Sequence, residues 1–189
     1  MRLLSDRYEE IKKTISELLI DYGLNTFPID VFYLAKRMKI IVEKYSDFPD
    51  NEQIVLLNGS VDGMSYYESD LKEFHIVYND YKIHTRIRFT IAHEIGHIVL
   101  GHKESNKKNE SEADFFARSL LVPIPIILFK EIKDEEIIIE EFDVSYQVAC
   151  IVLNNRKSRL ESGCKGLKNY EKELLKQFNL YRRENKYDL

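Results

Sequence analysis

The spacing of apolar residues divides the chain into helices, short strands and turns. Tyr8, Ile11, Ile15, Leu18 and Leu19 recur at three- and four-residue intervals, the period of one helical face. Ser5 is placed to cap this helix and Gly23 to end it. Asp30 caps a second helix with Val31, Leu34, Ala35 and Met38 inward. The pattern then turns strand-like. Residues 40–45 read as one strand, and Gln53–Leu57 and Val61–Tyr67 flank Asn58-Gly59, a hairpin turn signal. Phe74–Tyr78 reads as a further strand and as the candidate edge of the sheet, with which an extended segment could pair. Helical character returns with Ile87, Ile91, Ile95, Ile98 and Val99, and Gly101 sits where a left-handed C-cap glycine belongs. A second helix over Asn109–Val122 stops near Pro123. Residues 135–159 suggest a short helix, a turn at Asp143, and a helix with Val148, Ile151 and Val152 inward, an order that could also be a helix-turn-helix. Leu167, Tyr170, Leu174, Phe178 and Tyr181 mark a last amphipathic helix, with residues 163–166 as the linker before it.

Composition narrows the class. At 189 residues and 44% apolar content, a domain with a real core is expected. No apolar run approaches the roughly 20 residues that span a bilayer. The N-terminal residues lack an apolar signal core. Cys150 and Cys164 form no Cys-x-x-Cys pair, so they are expected to be reduced thiols of a cytoplasmic protein, with Cys150 facing the core. The net charge of −4 argues against general nucleic-acid affinity. Residues 150–189 nevertheless carry ten Lys or Arg against five Asp or Glu, a basic tail of +5 on a remainder of −9. A solvated helix face is the plain reading of that tail.

The candidate chemistry lies in His93-Glu94-Ile95-Gly96-His97. On a helix, residues four apart share a face, so His93 and His97 can reach one metal ion. Glu94, about 100° further round the axis, is placed beside that ion as a base for a polarised water. Gly96 costs about 1 kcal/mol of helix stability relative to alanine, so a packing reason for it is expected: it allows close approach of another element. The following helix offers a third ligand. Glu110 and Asp114 share a face with Ala113 and Ala117, small residues that let the helix come close. Glu110 is then a candidate ligand, and Asp114 a candidate acceptor for the outer nitrogen of a ligand histidine. Glu112 is the rival ligand, and periodicity does not separate the two. His84 and His102 read as ordinary polar residues near the helix ends. Tyr66, Tyr67 and His75 are weak candidates for an oxyanion donor.

These motifs resemble the ImmA/IrrE family of metallopeptidases, the M78 group. Arg86–His97 matches its Arg-x-Arg-Phe-Thr-x-Ala-His-Glu-x-Gly-His, and Glu110–Pro123 matches its Glu-x-Glu-Ala-Asn/Asp-x-Phe-Ala-x-x-Leu-Leu-x-Pro. Pro28–Val31, Gly63–Ser65, Ile76–Asn79 and Phe142–Ser145 match shorter family segments, so the resemblance covers about residues 5–160. Val122 departs from a common Met, a tolerable apolar swap. The resemblance implies an α+β fold: a small antiparallel or mixed sheet packed with helices, a zincin-like active-site helix, and a helical C-terminal part. It divides into a peptidase domain over residues 1–134 and a helical segment, 135–189, packed on it. It favours Glu110 as the third ligand to Zn²⁺, with His93 and His97, and Glu94 as the base. It further implies a cytoplasmic, site-specific endopeptidase that cleaves a protein substrate, a DNA-binding helix-turn-helix repressor of a mobile element or stress regulon. The alternative is a non-proteolytic zinc protein that binds a repressor or antitoxin-like partner. Direct nucleic-acid binding is not expected.

Overall fold

A computed structural model describes residues 2–163 and 166–181. Cys164 and residues 182–189 of the basic tail lie outside the described residues. In chain order the elements are α1 (Arg2–Asp21), α2 (Val31–Arg37), β1 (Ile40–Lys44), α3 (Asp50–Gly59), β2 (Gly63–Glu68), β3 (Glu73–Tyr78), α4 (His84–Leu100), α5 (Lys107–Leu121), α6 (Ile124–Phe129), α7 (Glu135–Phe142), α8 (Tyr146–Glu161) and α9 (Asn169–Gln177). The fold is α+β, as the pattern predicts. No described helix is long and apolar enough to cross a membrane.

Local chemistry explains most of these boundaries. Asp30 accepts a hydrogen bond from the Tyr33 amide and opens α2. Asn106 does the same for α5 through the Lys108 and Asn109 amides. Gly101 adopts φ 68° and ψ 32° at the end of α4, a left-handed conformation that glycine enters without steric cost. Asp143 takes φ 51° between α7 and α8, at the turn the pattern marks. Ser5 lies inside α1 rather than before it.

Two strand expectations fail. Gln53–Leu57 is not a strand, and Asn58-Gly59 is not a hairpin turn; both belong to helix α3. Asp50 and Glu52 occupy its first turn, where the helix dipole favours acids. None of its residues is buried, and Ile54 and Val55 are 61% and 69% exposed. A short apolar run with no packing partner carries no clear period, which is why it resembles a strand. The real hairpin joins β2 to β3. The second failure concerns the sheet edge. The strand order is β1-β3-β2, with β1 parallel and β2 antiparallel to β3, so the sheet is mixed and Phe74–Tyr78 is its centre. A parallel pair needs a crossover, here supplied by α3 and β2. Pairing between Ile40 and Phe74 across that crossover leaves no local sequence signal.

The sheet rests on α4. Ile40, Ile76 and Tyr78 join Ile91, Ala92 and Ile95 in a core that continues through Ile11, Ile15 and Leu19 of α1 and Phe116 and Leu120 of α5. The same cluster runs on through Phe142, Val148, Val152, Leu174 and Leu175. Helix α9 packs on α1, and α8 packs on α6. Ile151 and Cys150 are half-buried rather than core, because Val148, Ala149 and Val152 form the inward stripe of α8.

Arg88 ties α4 to the C-terminal helices. It is 6% exposed, and its guanidinium donates to the carbonyls of Phe142 (3.3 Å) and Asp143 (3.1 Å). Those carbonyls end α7 and have no intrahelical partner. Burial lowers the Arg88 pKa, while Asp143, 3.2 Å away, opposes the shift. Replacing Arg88 by Leu strands these carbonyls. Urea denaturation of Arg88→Leu is expected to show a loss of about 1–3 kcal/mol; an unchanged midpoint and slope would contradict this role.

Candidate metal centre

Helices α4 and α5 build the site by lying unusually close. Gly96 is the point of contact: a Cβ there would meet three atoms of Phe116 at 3.0–3.2 Å. Ala113 and Ala117 are fully buried on the facing side of α5. This contact is the packing reason for Gly96 that the sequence anticipates.

Across it, three ligand atoms converge. His93 Nε2 and His97 Nε2 are 3.0 Å apart. Glu110 Oε2 lies 3.2 Å from the first and 3.6 Å from the second. Among the described residues, His93, His97 and Glu110 are the group whose ligand atoms could hold a metal ion. A tetrahedral ion bonded at about 2.0–2.2 Å separates its ligand atoms by about 3.3–3.6 Å; the separations here, 3.0, 3.2 and 3.6 Å, come close to that range, and two imidazoles with a carboxylate fit the charge of such an ion.

The ligands are braced from outside. His93 Nδ1 is 3.0 Å from Asp114 Oδ1, which leaves the lone pair of Nε2 free to face the ion. Burial pushes the His93 pKa down, but Asp114, Glu94 and Glu110 outweigh it and the net shift is upward. The Asp114 carboxyl is held below its usual range, first by that hydrogen bond. Burial would raise Glu110, yet the Ser105 hydroxyl, donating at 2.9 Å, and the two histidines lower it. His97 is shifted down, by burial and then by the charge of His93. A neutral imidazole beside an ionised carboxylate is the form that binds a cation.

Glu94 occupies the neighbouring position. Its side chain is 8% exposed and accepts a hydrogen bond from Ser65 Oγ at 2.7 Å. Burial raises its pKa, opposed by that hydrogen bond and by His93. Sequence reasoning places Ser65 only as part of a matched segment, Gly63-Met64-Ser65. Its contact with Glu94 depends on Gly63: a Cβ there would meet Thr90 Cγ2 at 2.6 Å and the Val77 carbonyl at 2.9 Å. Without a side chain, β2 approaches α4 closely enough for Ser65 to reach Glu94.

The rival ligand is placed elsewhere, and one expectation changes. Glu112 is not in the cluster. It is 4% exposed and points to Arg7, whose Nε and Nη2 donate at 3.0 and 2.9 Å, and to His102 Nε2 at 3.3 Å. Burial would raise the Glu112 pKa, but these donors lower it. His102 is not an ordinary polar residue at a helix end. The left-handed turn at Gly101 brings the His102 amide to the His97 carbonyl (3.0 Å) and the His102 ring to His97 Nδ1 (3.0 Å). A histidine directly after a C-cap glycine was the signal available for it. His84 does lie at a helix end, where its Nε2 is 2.7 Å from Asp143 Oδ2.

Strand alternation sorts the oxyanion candidates. Tyr66 pairs with His75 across the strands, their rings stack at 4.9 Å, and both lie on the face opposite Ser65. His75 turns to Glu43 at 3.0 Å, away from Glu94. Tyr67 shares the face of Ser65 and is half-exposed.

A His-Glu-x-x-His helix, completed by a carboxylate from the next helix, defines a metallopeptidase-type centre. The sequence model of the Peptidase M78 family, described as the IrrE N-terminal-like domain, matches residues 58–154, and the chain belongs to that family. The match begins at α3 and ends within α8, a narrower span than residues 5–160. A comparison with curated proteins finds no match.

The packing of Gly63 gives a test. Gly63→Ala is expected to push β2 off α4, costing about 1–3 kcal/mol by overpacking and breaking the Ser65–Glu94 bond. Thermal unfolding identical to the native chain would contradict the close approach.

Proposed function

We propose that the protein is a zinc-dependent endopeptidase that cuts a regulatory protein at a specific bond, its substrate being a helix-turn-helix repressor of a mobile element or stress regulon. The observation that carries the catalytic reading is Glu94. It is a buried carboxylate, adjacent to the ligand cluster yet outside it, and held by Ser65. A centre that only braced the fold would have no use for a base there.

In this reading His93, His97 and Glu110 hold Zn²⁺, and Glu94 is the general base. Zinc bound there supplies Lewis acidity: it lowers the pKa of water towards about 7 and polarises a peptide carbonyl. Glu94 takes the proton of the attacking water and delivers it to the leaving amine. Its raised pKa suits both duties, because a carboxyl nearer neutrality takes and gives a proton more readily. Ser65 holds the carboxylate in place by donating to one of its oxygens. Asp114 orients His93.

An extended substrate segment pairs with the free edge of β2, the edge strand that carries Ser65. Strand β3, paired on both sides, is closed to it. The protein partner is a repressor rather than DNA itself. Helix α7 carries Glu135, Glu136 and Glu140, an acidic surface that repels phosphates, while Glu141 pairs with Lys130.

Incubation with the repressor encoded nearest the gene, followed by intact mass spectrometry, tests the function. A single cut made by the native protein is expected. Glu94→Gln should keep its zinc and lose turnover by about 10²–10⁴-fold. Retained cleavage would remove Glu94 as the base; co-purification of the two proteins without a cut would favour the binding regulator. Zinc occupancy is expected to fall further in Glu110→Ala than in Glu112→Ala, measured by elemental analysis. Activity should vanish with a chelator and return with zinc; insensitivity to the chelator would contradict the mechanism.

A further inference from the structure

The two histidines of the centre are supported unequally. His93 meets a carboxylate directly, through Asp114. His97 meets one at a remove. Its Nδ1 faces His102 Nδ1 at 3.0 Å, His102 Nε2 faces Glu112 Oε2 at 3.3 Å, and that oxygen receives both Arg7 Nε and Nη2. The middle of the chain is dry, with the side chains of His102 and Glu112 6% and 5% exposed, while Arg7 at its outer end is 31% exposed.

Hydrogen-bond chemistry gives this chain a direction. His97 Nε2 points at the cluster and must carry a lone pair to ligate, so the proton of the neutral ring sits on Nδ1. That N–H needs an acceptor, which His102 Nδ1 supplies only if the His102 proton is on Nε2. There it points at Glu112, an acceptor when ionised, and Arg7 fixes the charge. Reversing any one bond reverses the others. A proton on His102 Nδ1 would drive the His97 proton onto Nε2, against His93 Nε2, and leave Glu112 facing a lone pair.

We propose that Arg7, Glu112 and His102 form a positioning relay that holds His97 in its metal-binding tautomer, so that α1 takes part in the metal centre although it supplies no ligand. The proposal rests on the reading of His93, His97 and Glu110 as the metal site. In energetic terms, the relay pre-selects one of two neutral tautomers and one ring orientation before the ion arrives. Outer partners of ligand histidines change metal affinity by about 10–100-fold, and His102 is such a partner. Glu112 acts one bond further out and should matter less.

Zinc affinity of the full chain, measured by competition with a chromophoric chelator, tests the relay. His102→Ala is expected to bind zinc about 10–100-fold more weakly. His102→Asn should recover most of that loss, because its amide oxygen can take the place of Nδ1 and accept from His97. Glu112→Gln, which keeps shape and loses charge, should fall between the native chain and His102→Ala. Melting of the metal-free proteins separates folding from affinity. A loss confined to metal-free stability, with zinc affinity unchanged in both His102→Ala and Glu112→Gln, would overturn the relay. So would failure of His102→Asn to bind better than His102→Ala. His97→Ala is the control: zinc affinity unchanged by it would overturn the metal reading of the site, and the relay with it.

Discussion

The metal centre depends on how closely α4 and α5 can approach, and Gly96 sets that distance. The Phe116 ring fills the space that a Cβ would take, and it is fully buried. Burying such a ring contributes about 1.5–3 kcal/mol, and Gly96 gives up about 1 kcal/mol of helix propensity. The packing gain exceeds the cost. With the axes this close, Glu110 reaches across to His93 and His97, and Asp114, one turn on, reaches the back of His93. The candidate ligands and the residues that pack alternate along the same two helices.

A second close approach, at Gly63, brings β2 onto α4 and sets Ser65 against Glu94. Helix α4 is therefore clamped on both sides, by α5 beside His93 and His97 and by β2 at Glu94. Each buried polar group at the centre has a partner: Glu94 has Ser65, His93 has Asp114, His97 has His102, and Glu112 has Arg7. Unpartnered buried charge would be costly, and here the partners come from α1, β2, α5 and the turn that follows α4. The site is thus a junction of the fold rather than an addition to its surface. Arg88 extends that junction to α7.

What was legible in the sequence follows the range of the interactions. The helix ends were local: Asp30, Gly101 and the turn at Asp143 act within a few residues, and the pattern located them. The His-Glu-x-x-His spacing and the Ala113, Ala117 face lie within single helices, so their geometry could be drawn from helical period alone. The choice between Glu110 and Glu112 was not available from period, because it depends on the rotation of α5 about its axis, which Phe116 and Gly96 set. Strand order was also out of reach, since β1 and β3 pair across α3 and β2. Helix α3 looked like a strand because its apolar residues face no partner. His102 was missed for a different reason. Its role appears only when the Gly101 turn folds it back onto His97, and its carboxylate partner comes from another helix.

In the proposed function, His93, His97 and Glu110 hold a zinc ion beside Glu94. Zinc K-edge X-ray absorption of the native protein tests it most directly. Four nitrogen or oxygen ligands at about 2.0–2.2 Å are expected, with the multiple scattering of two imidazoles and one of them lost in zinc-loaded His97→Ala. A sulfur ligand at about 2.3 Å, or an absorption spectrum unchanged by His97→Ala, would contradict it.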